Sequence, residues 1–165
     1  GERCVGKECL IVGFLFPYVF GEKNAYKCRD VDFVLRKFNN LNEGRSLIYI
    51  GDIAGYKPLS AIYRRRLTKL QQYKAQETVE IKYKRQSPRI MTNCANYISA
   101  SDYDEALQLI DDDHQTFKVQ SRGYDYYKEL NSSFNQTVGD HFYTYLYLNR
   151  DAYPDPTVVL RHPIQ

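Results

Sequence analysis

Apolar and polar residues along this chain follow two periods, and each change of period marks the start of a new element. Residues 7–16 are apolar nearly all round, which suits a helix packed against a sheet. Asp30 stands before Val31, Val34, Leu35 and Phe38 and is placed to cap a helix that carries them. The stretch "SLIYIGDI" (46–53) is continuously apolar and ends in Gly-Asp, the pattern of a central parallel strand. Pro58 opens the next helix, with Leu59, Ile62, Tyr63, Leu67 and Leu70 on one face. "ETVEIKYKRQSPRIMTN" predicts a strand, a turn near Lys84 to Ser87, and a second strand. The first of the two reads as half-exposed and the second, "RIMTN", as more apolar and central. The segment 102–113 predicts a short helix around Glu105–Leu109, with a strand following at "TFKVQ". Tyr127, Leu130, Phe134, Val138, Phe142 and Tyr145 then recur at helical spacing. Strands alternating with helices predict an α/β protein with a largely parallel sheet.

Composition narrows this only in places. A chain of 165 residues is long enough to bury a real core as one domain. Within it, 1–122 reads as the α/β core and 123–165 as a helical extension and tail. The formal net charge of +3 is uninformative, but its distribution is not. Ten Lys/Arg and two acids lie between Lys57 and Arg89, whereas Ser101 to Thr116 holds six acids and no Lys/Arg. Cysteines at 4, 9, 28 and 94 form no C-x-x-C pair and read as reduced thiols of an intracellular protein. The run "CLIVGFLFPYVF" is half a membrane span and contains Pro17, so it reads as a buried helix. No membrane partner is expected.

The candidate chemistry begins at "GERCVGKE", which matches the phosphate-loop spacing G-x-x-x-x-G-K but has Glu8 where Ser or Thr belongs. Such glycines permit a tight anion-cradling loop, and Lys7 would reach phosphates from the start of a helix. The competing reading is an ordinary glycine turn before a helix. Two strand ends add weight: Asp52 would bring a carboxylate towards magnesium and the attacking water, and Asn93 an amide towards the γ-phosphate. Asn93 on its own is equally a strand-end turn residue. Arg64–Arg66 read alone as a solvated helix face; joined to Lys82, Lys84 and Arg85 they suggest salt-sensitive contact with nucleic-acid phosphates. The three histidines are scattered. Asp111–Asp113 lacks the Gly and terminal Glu of a calcium loop and reads as a solvated turn.

In order along the chain stand the phosphate-loop pattern, "FNNLNEGRSLIYIGD", "YRRRLTKL", "ETVEIKYKRQSPRIMTNCANYI" and "DDDHQTFKV". This series resembles the superfamily-three helicase domain, of the kind attached to viral and phage primases and primase-polymerases, from Gly1 to about Val119. The resemblance implies a three-layer, AAA+-like P-loop fold with a helical C-terminal segment. It implies ATP with magnesium at Gly1, Val5, Gly6, Lys7 and Glu8, and catalytic roles for Lys7, Asp52 and Asn93, Asp52 also holding the metal. Lys82, Lys84 and Arg85 would contact single-stranded DNA. The implied partners are copies of the same chain in a ring and a primase or polymerase domain in the parent protein. A loop of this kind follows a strand, so the pattern also predicts a sheet lacking its first strand, with an open edge beside the loop.

Three positions depart from the family: Glu8 for the hydroxyl, Gly51 for the first of two acids, and His114-Gln115 for an arginine pair. Glu8 sets a carboxylate beside phosphates, where like charges repel unless a metal lies between them. Arginine fingers are worth about 10³–10⁵ in rate in GTPases. Two functions therefore stand side by side: an ATP-dependent helicase domain translocating on single-stranded DNA, and a degenerate copy serving as a nucleic-acid-binding or assembly module. A small-molecule kinase is a third, without an evident acceptor site or lid.

Overall fold

At the centre of the computed structural model, which describes residues 6–51, 60–100 and 124–152, lies the strand expected from the "SLIYIGDI" run. Strand β2 (Leu47–Ile50) is buried at all four positions. Its neighbours β1 (Ala25–Cys28) and β5 (Asn96–Ser99) both run parallel to it, so that Ala25 and Asn96 pair with Leu47, and Cys28 and Ser99 pair with Ile50. Parallel neighbours cannot be joined by hairpins, and the crossovers carry the helices.

Because side chains alternate along a strand, β2 feeds two separate cores. Ile48 and Ile50 pack with Cys28, Val31, Val34, Tyr63, Leu67 and Leu70 beneath helices α2 (Val31–Leu35) and α3 (Ala61–Ala75). Leu47 and Tyr49 pack on the opposite face with Ile11, Phe16, Ala25 and Ala100. That second layer is a helix starting as α1 (Lys7–Leu10) and continuing as a π-helix over Ile11–Phe20, with Pro17 inside it. Helices thus cover both faces of a small parallel sheet, and the α/β expectation holds. Among the described residues β5 has β2 on one side and no strand on its other edge.

Local signals worked where a cap was present. The Asp30 carboxylate accepts the Asp32 N–H at 2.9 Å, and the Ser60 hydroxyl accepts the Tyr63 N–H at 3.2 Å. Pro58 and Leu59 lie outside the described residues. Two expected core positions are not buried. The first helix after Asp30 stops at Leu35 because Arg36 is extended, leaving Phe38 beyond it and 39% exposed. Ile62 is 58% exposed, since the buried stripe runs through Tyr63, Leu67 and Leu70 and a helical neighbour lies about 100° away.

The hairpin expectation needs a correction too. Strands β3 (Thr78–Ile81) and β4 (Arg89–Thr92) do pair antiparallel, but as a two-stranded sheet of their own. "RIMTN" is therefore not a central strand. Val79 and Ile81 on β3 carry the burial, while Ile90 faces outward across from Glu80 at 77% exposure. The place beside β2 is taken by β5, "NYIS".

The helical spacing after residue 123 resolves into α4 (Tyr124–Ser133) and α5 (Gln136–Leu148), because Asn135 caps the second by accepting the Val138 N–H at 3.1 Å. Both lie along the 7–20 helix. Tyr127 packs on Gly6, Phe14 stacks on Phe134 with ring centres 4.7 Å apart, and Gly139 sits on the main chain of Tyr18. The expected helix around Glu105–Leu109 and strand at "TFKVQ" lie outside the described residues. No described helix is long and apolar enough to cross a membrane.

Cys9, Cys28 and Cys94 are free thiols. Burial, reinforced by the Asp30 carboxylate, pushes the Cys28 thiol up from 9.0 to about 12. Burial also raises the Tyr26 and Tyr97 hydroxyls. A raised acid favours its protonated form in the fold, so this stability is complete below the unfolded thiol value and drains away as pH rises from about 9 towards 12. Urea midpoints should fall across the accessible part of that range, and less steeply for Cys28→Ala. Parallel curves for the two proteins would rule out the thiol as a contributor.

Candidate functional site

In parallel α/β sheets, ligands collect outside the carboxyl ends of the strands. Here that edge is where β1 leaves through Cys28, β2 through Gly51 and β5 through Ala100. Gly6 arrives at the same edge. It adopts φ +74°, a left-handed conformation suited to glycine, and the helix starts immediately after it, with the Leu10 N–H donating to the Gly6 carbonyl at 3.0 Å. A Cβ at Gly6 would overlap the Tyr127 ring, so α4 covers the turn on one side.

Glu8 reaches from this turn to the sheet. Its Oε1 lies 2.7 Å from Nζ of Lys27 on β1, and a Cβ placed at Gly51 would stand 3.8 Å from the same oxygen. A carboxylate is therefore held against the end of β2, beside the position where the resemblance expects an acid. The pair is about half exposed, so its net contribution to stability is small. Gly6, Lys7, Glu8 and Gly51 are thus brought together. Gly1, Val5 and Asp52 lie outside the described residues, as do His114 and Gln115. Lys27 carries no sequence signal: "AYKC" is too short and too mixed to read as a strand.

Asn93 is elsewhere. It is 3% exposed and precedes β5, whose carboxyl end is the one beside Gly51. A four-residue strand, about 13 Å at ~3.3 Å per residue, separates the two ends. Its Nδ2 donates to the carbonyls of Tyr73 (3.1 Å) and Gln76 (3.0 Å), and its backbone N–H to Glu77 (2.8 Å). The amide closes the carboxyl end of α3 and is not presented to the Gly6 turn. This corrects the expectation of a γ-phosphate contact.

The hairpin basics are also remote from Gly6. The Lys82 N–H donates to Asn39 Oδ1 at 2.8 Å and the Tyr83 hydroxyl bonds Glu43, both in the segment that enters β2 rather than the end that leaves it. Lys82 Nζ pairs with Glu80 at 2.6 Å, so it is not a free cation. Lys84 and Arg85 are exposed in the turn, Arg85 at φ +63°, with the Arg89 guanidinium 5.7 Å from the Tyr83 ring centre. On α3, Arg66 pairs with Asp32 at 2.5 Å while Arg64 and Arg65 are exposed. Among the described residues no three His, Cys, Asp or Glu side chains cluster to hold a metal.

No protein-family model matches the chain, and no curated protein is significantly similar to it. Among solved structures, the apo A form of the NrS-1 C-terminal region is similar with a TM-score of 0.48 and 16% identity, over 61% of this chain. The match covers 22% of that structure's own chain. At this degree of likeness, the α/β character rests on the sheet and helices themselves.

Proposed function

We propose that the chain is a P-loop-type nucleotide-binding domain of a viral or mobile-element DNA replication protein, of the helicase kind, in which nucleotide binding outlasts hydrolysis. The observation that carries this reading is the Gly6–Lys7 turn into a helix at the carboxyl edge of a buried parallel strand. A turn with that φ, followed at once by a lysine on the first helical residue, suits the phosphates of ATP. Magnesium fits poorly. Position 8 offers a carboxylate already paired with Lys27 instead of a hydroxyl, and no described cluster replaces it. That pairing favours the binding or assembly role over a fully active helicase. Single-stranded DNA is the proposed partner, through exposed Lys84 and Arg85 with Lys82 at the base of the turn. Association into a ring, and with a primase or polymerase domain, is carried by the sequence resemblance.

The test is equilibrium binding of a fluorescent ATP analogue, with hydrolysis followed in parallel. Lys7→Ala should weaken binding by about tenfold or more, the loss of one charge-assisted phosphate contact. Glu8→Thr should raise hydrolysis without weakening binding. Unchanged affinity in a folded Lys7→Ala protein would make the turn an ordinary glycine turn and remove the proposal's anchor.

A further inference from the structure

Two of the departures from the helicase pattern meet at one point. Glu8 stands where a hydroxyl would hold magnesium, and Gly51 where the first of two acids would. A Cβ at Gly51 would lie 3.8 Å from Glu8 Oε1 and 3.6 Å from the Cys28 carbonyl oxygen. An acid at position 51 would therefore set a second carboxylate beside the first. The end of β2 lacks its acid, and the turn supplies one next to it.

That carboxylate brings a cation with it. Side chains alternate along β1, and Ala25 packs into the core beneath the 7–20 helix. Lys27, two residues on, lies on the same face, one residue short of the carboxyl end of the strand. Tyr26 and Cys28 belong to the opposite core. Lys27 Nζ reaches Glu8 Oε1 at 2.7 Å, while its side chain keeps 43% of its surface accessible. An ammonium has three N–H donors, and this ion pair uses one. The remaining donors have no other acceptor among the described residues.

Magnesium demands octahedral oxygen coordination at about 2.0–2.1 Å and is usually held by carboxylates together with substrate phosphates. Here the carboxylate at the end of β2 is engaged by a positive charge, which would repel a divalent ion placed beside it. Asp30, just beyond β1, is turned to the Asp32 N–H. We propose that Lys27 takes the electrostatic place of magnesium, so that the site binds a nucleoside triphosphate without a divalent ion. Glu8 is the positioning residue, holding the ammonium at the end of β2, and Lys27 contacts the terminal phosphate oxygens. The cation between Glu8 and the phosphates relieves the repulsion that a bare carboxylate would impose. This inference rests on the nucleotide reading of the Gly6–Lys7 turn. It adds the form of the ligand, the free polyphosphate anion in place of its magnesium complex.

Titration of the full chain with N-methylanthraniloyl-ATP, in EDTA and again in excess magnesium, tests this. Affinity in EDTA should equal or exceed that in magnesium. Lys27→Met keeps the apolar stem and removes the charge. It should weaken binding in EDTA by about tenfold, the loss of one charge-assisted phosphate contact. Because the ion pair is about half exposed, Lys27→Met should fold as the parent does. Glu8→Thr combined with Lys27→Met restores a hydroxyl and clears the ammonium, so its binding should strengthen on adding magnesium. Inorganic tripolyphosphate should displace the analogue in EDTA, which assigns the contact to phosphates. Parent affinity that rises on adding magnesium, or a folded Lys27→Met protein that binds as the parent does in EDTA, would overturn the proposal. Either result, with binding still lost in Lys7→Ala, would leave the nucleotide reading standing. Absence of binding in both buffers would remove that reading and the proposal together.

Discussion

Replacing Asn93 with alanine is expected to lower the unfolding free energy by roughly 2–4 kcal/mol, whatever it does to nucleotide binding. The amide donates to two carbonyls at the end of α3, and each buried acceptor left without a donor costs about 1–3 kcal/mol. The 3% exposure of Asn93 keeps water from replacing it fully. Asn93→Asp should be worse at neutral pH, because it sets a carboxylate against the same two carbonyl oxygens. Urea unfolding reads the effect as a lowered midpoint with an unchanged slope. A phosphate-sensing residue would behave differently, keeping stability and losing turnover. Full stability in Asn93→Ala would therefore rule out the helix-closing role.

Gly139→Ala should also destabilise, although alanine favours a helix over glycine by about 1 kcal/mol. A Cβ there would overlap the Tyr18 carbonyl oxygen and lie 2.7 Å from the Tyr18 Cβ and 2.9 Å from its carbonyl carbon. Backbone atoms cannot rotate aside, so α5 must move off the 7–20 helix. Overpacking of this kind costs about 1–3 kcal/mol, leaving a net loss of up to about 2 kcal/mol. Gly139→Val should lose more and should open the Phe14–Phe142 contact, whose ring centres are 5.6 Å apart. Hydrogen exchange then localises the damage: amides of α5 should lose protection first. An alanine variant as stable as the parent would mean that α5 packs more loosely than its contacts indicate.

What could be read in advance depended on whether a residue's role was local. Strand β2 was legible because covering both faces demands an unbroken apolar run. The Asp30 and Ser60 caps follow from short-range chemistry, each side chain accepting an N–H two or three residues on. The order β1-β2-β5 was not legible. "AYKC" and "NYIS" are four-residue strands, the first with Lys27 inside it and the second with Asn96 and Ser99 at its two ends, and are too short and mixed to stand out as strands. "RIMTN" misled for the converse reason: composition cannot tell a central strand from the outer strand of a hairpin. At the candidate site, the glycine and lysine of the turn were visible as spacing. The Glu8–Lys27 pair and the Tyr127 cover exist only through tertiary packing. Asn93 follows "RIMT" directly, and its distance from the Gly6 turn was not legible because composition does not show that this strand lies outside the central sheet.

The helix from Lys7 to Phe20 is gripped at successive levels, by Tyr127 at Gly6, by Asn131 at Cys9, by Phe134 and Phe142 at Phe14, and by Gly139 at Tyr18. Each grip needs its partner at a set height and angle. One residue added in the Lys7–Leu10 turn would rotate everything beyond it by about 100° and advance it by about 1.5 Å. Phe14 and Tyr18 would then face away from α4 and α5 together. A single substitution on this helix is therefore expected to be tolerated better than a one-residue change in its length. Phe14 would lose Phe134 and Phe142 in the same step as Tyr18 loses Gly139, so a length change at the start of the helix acts on all its grips at once.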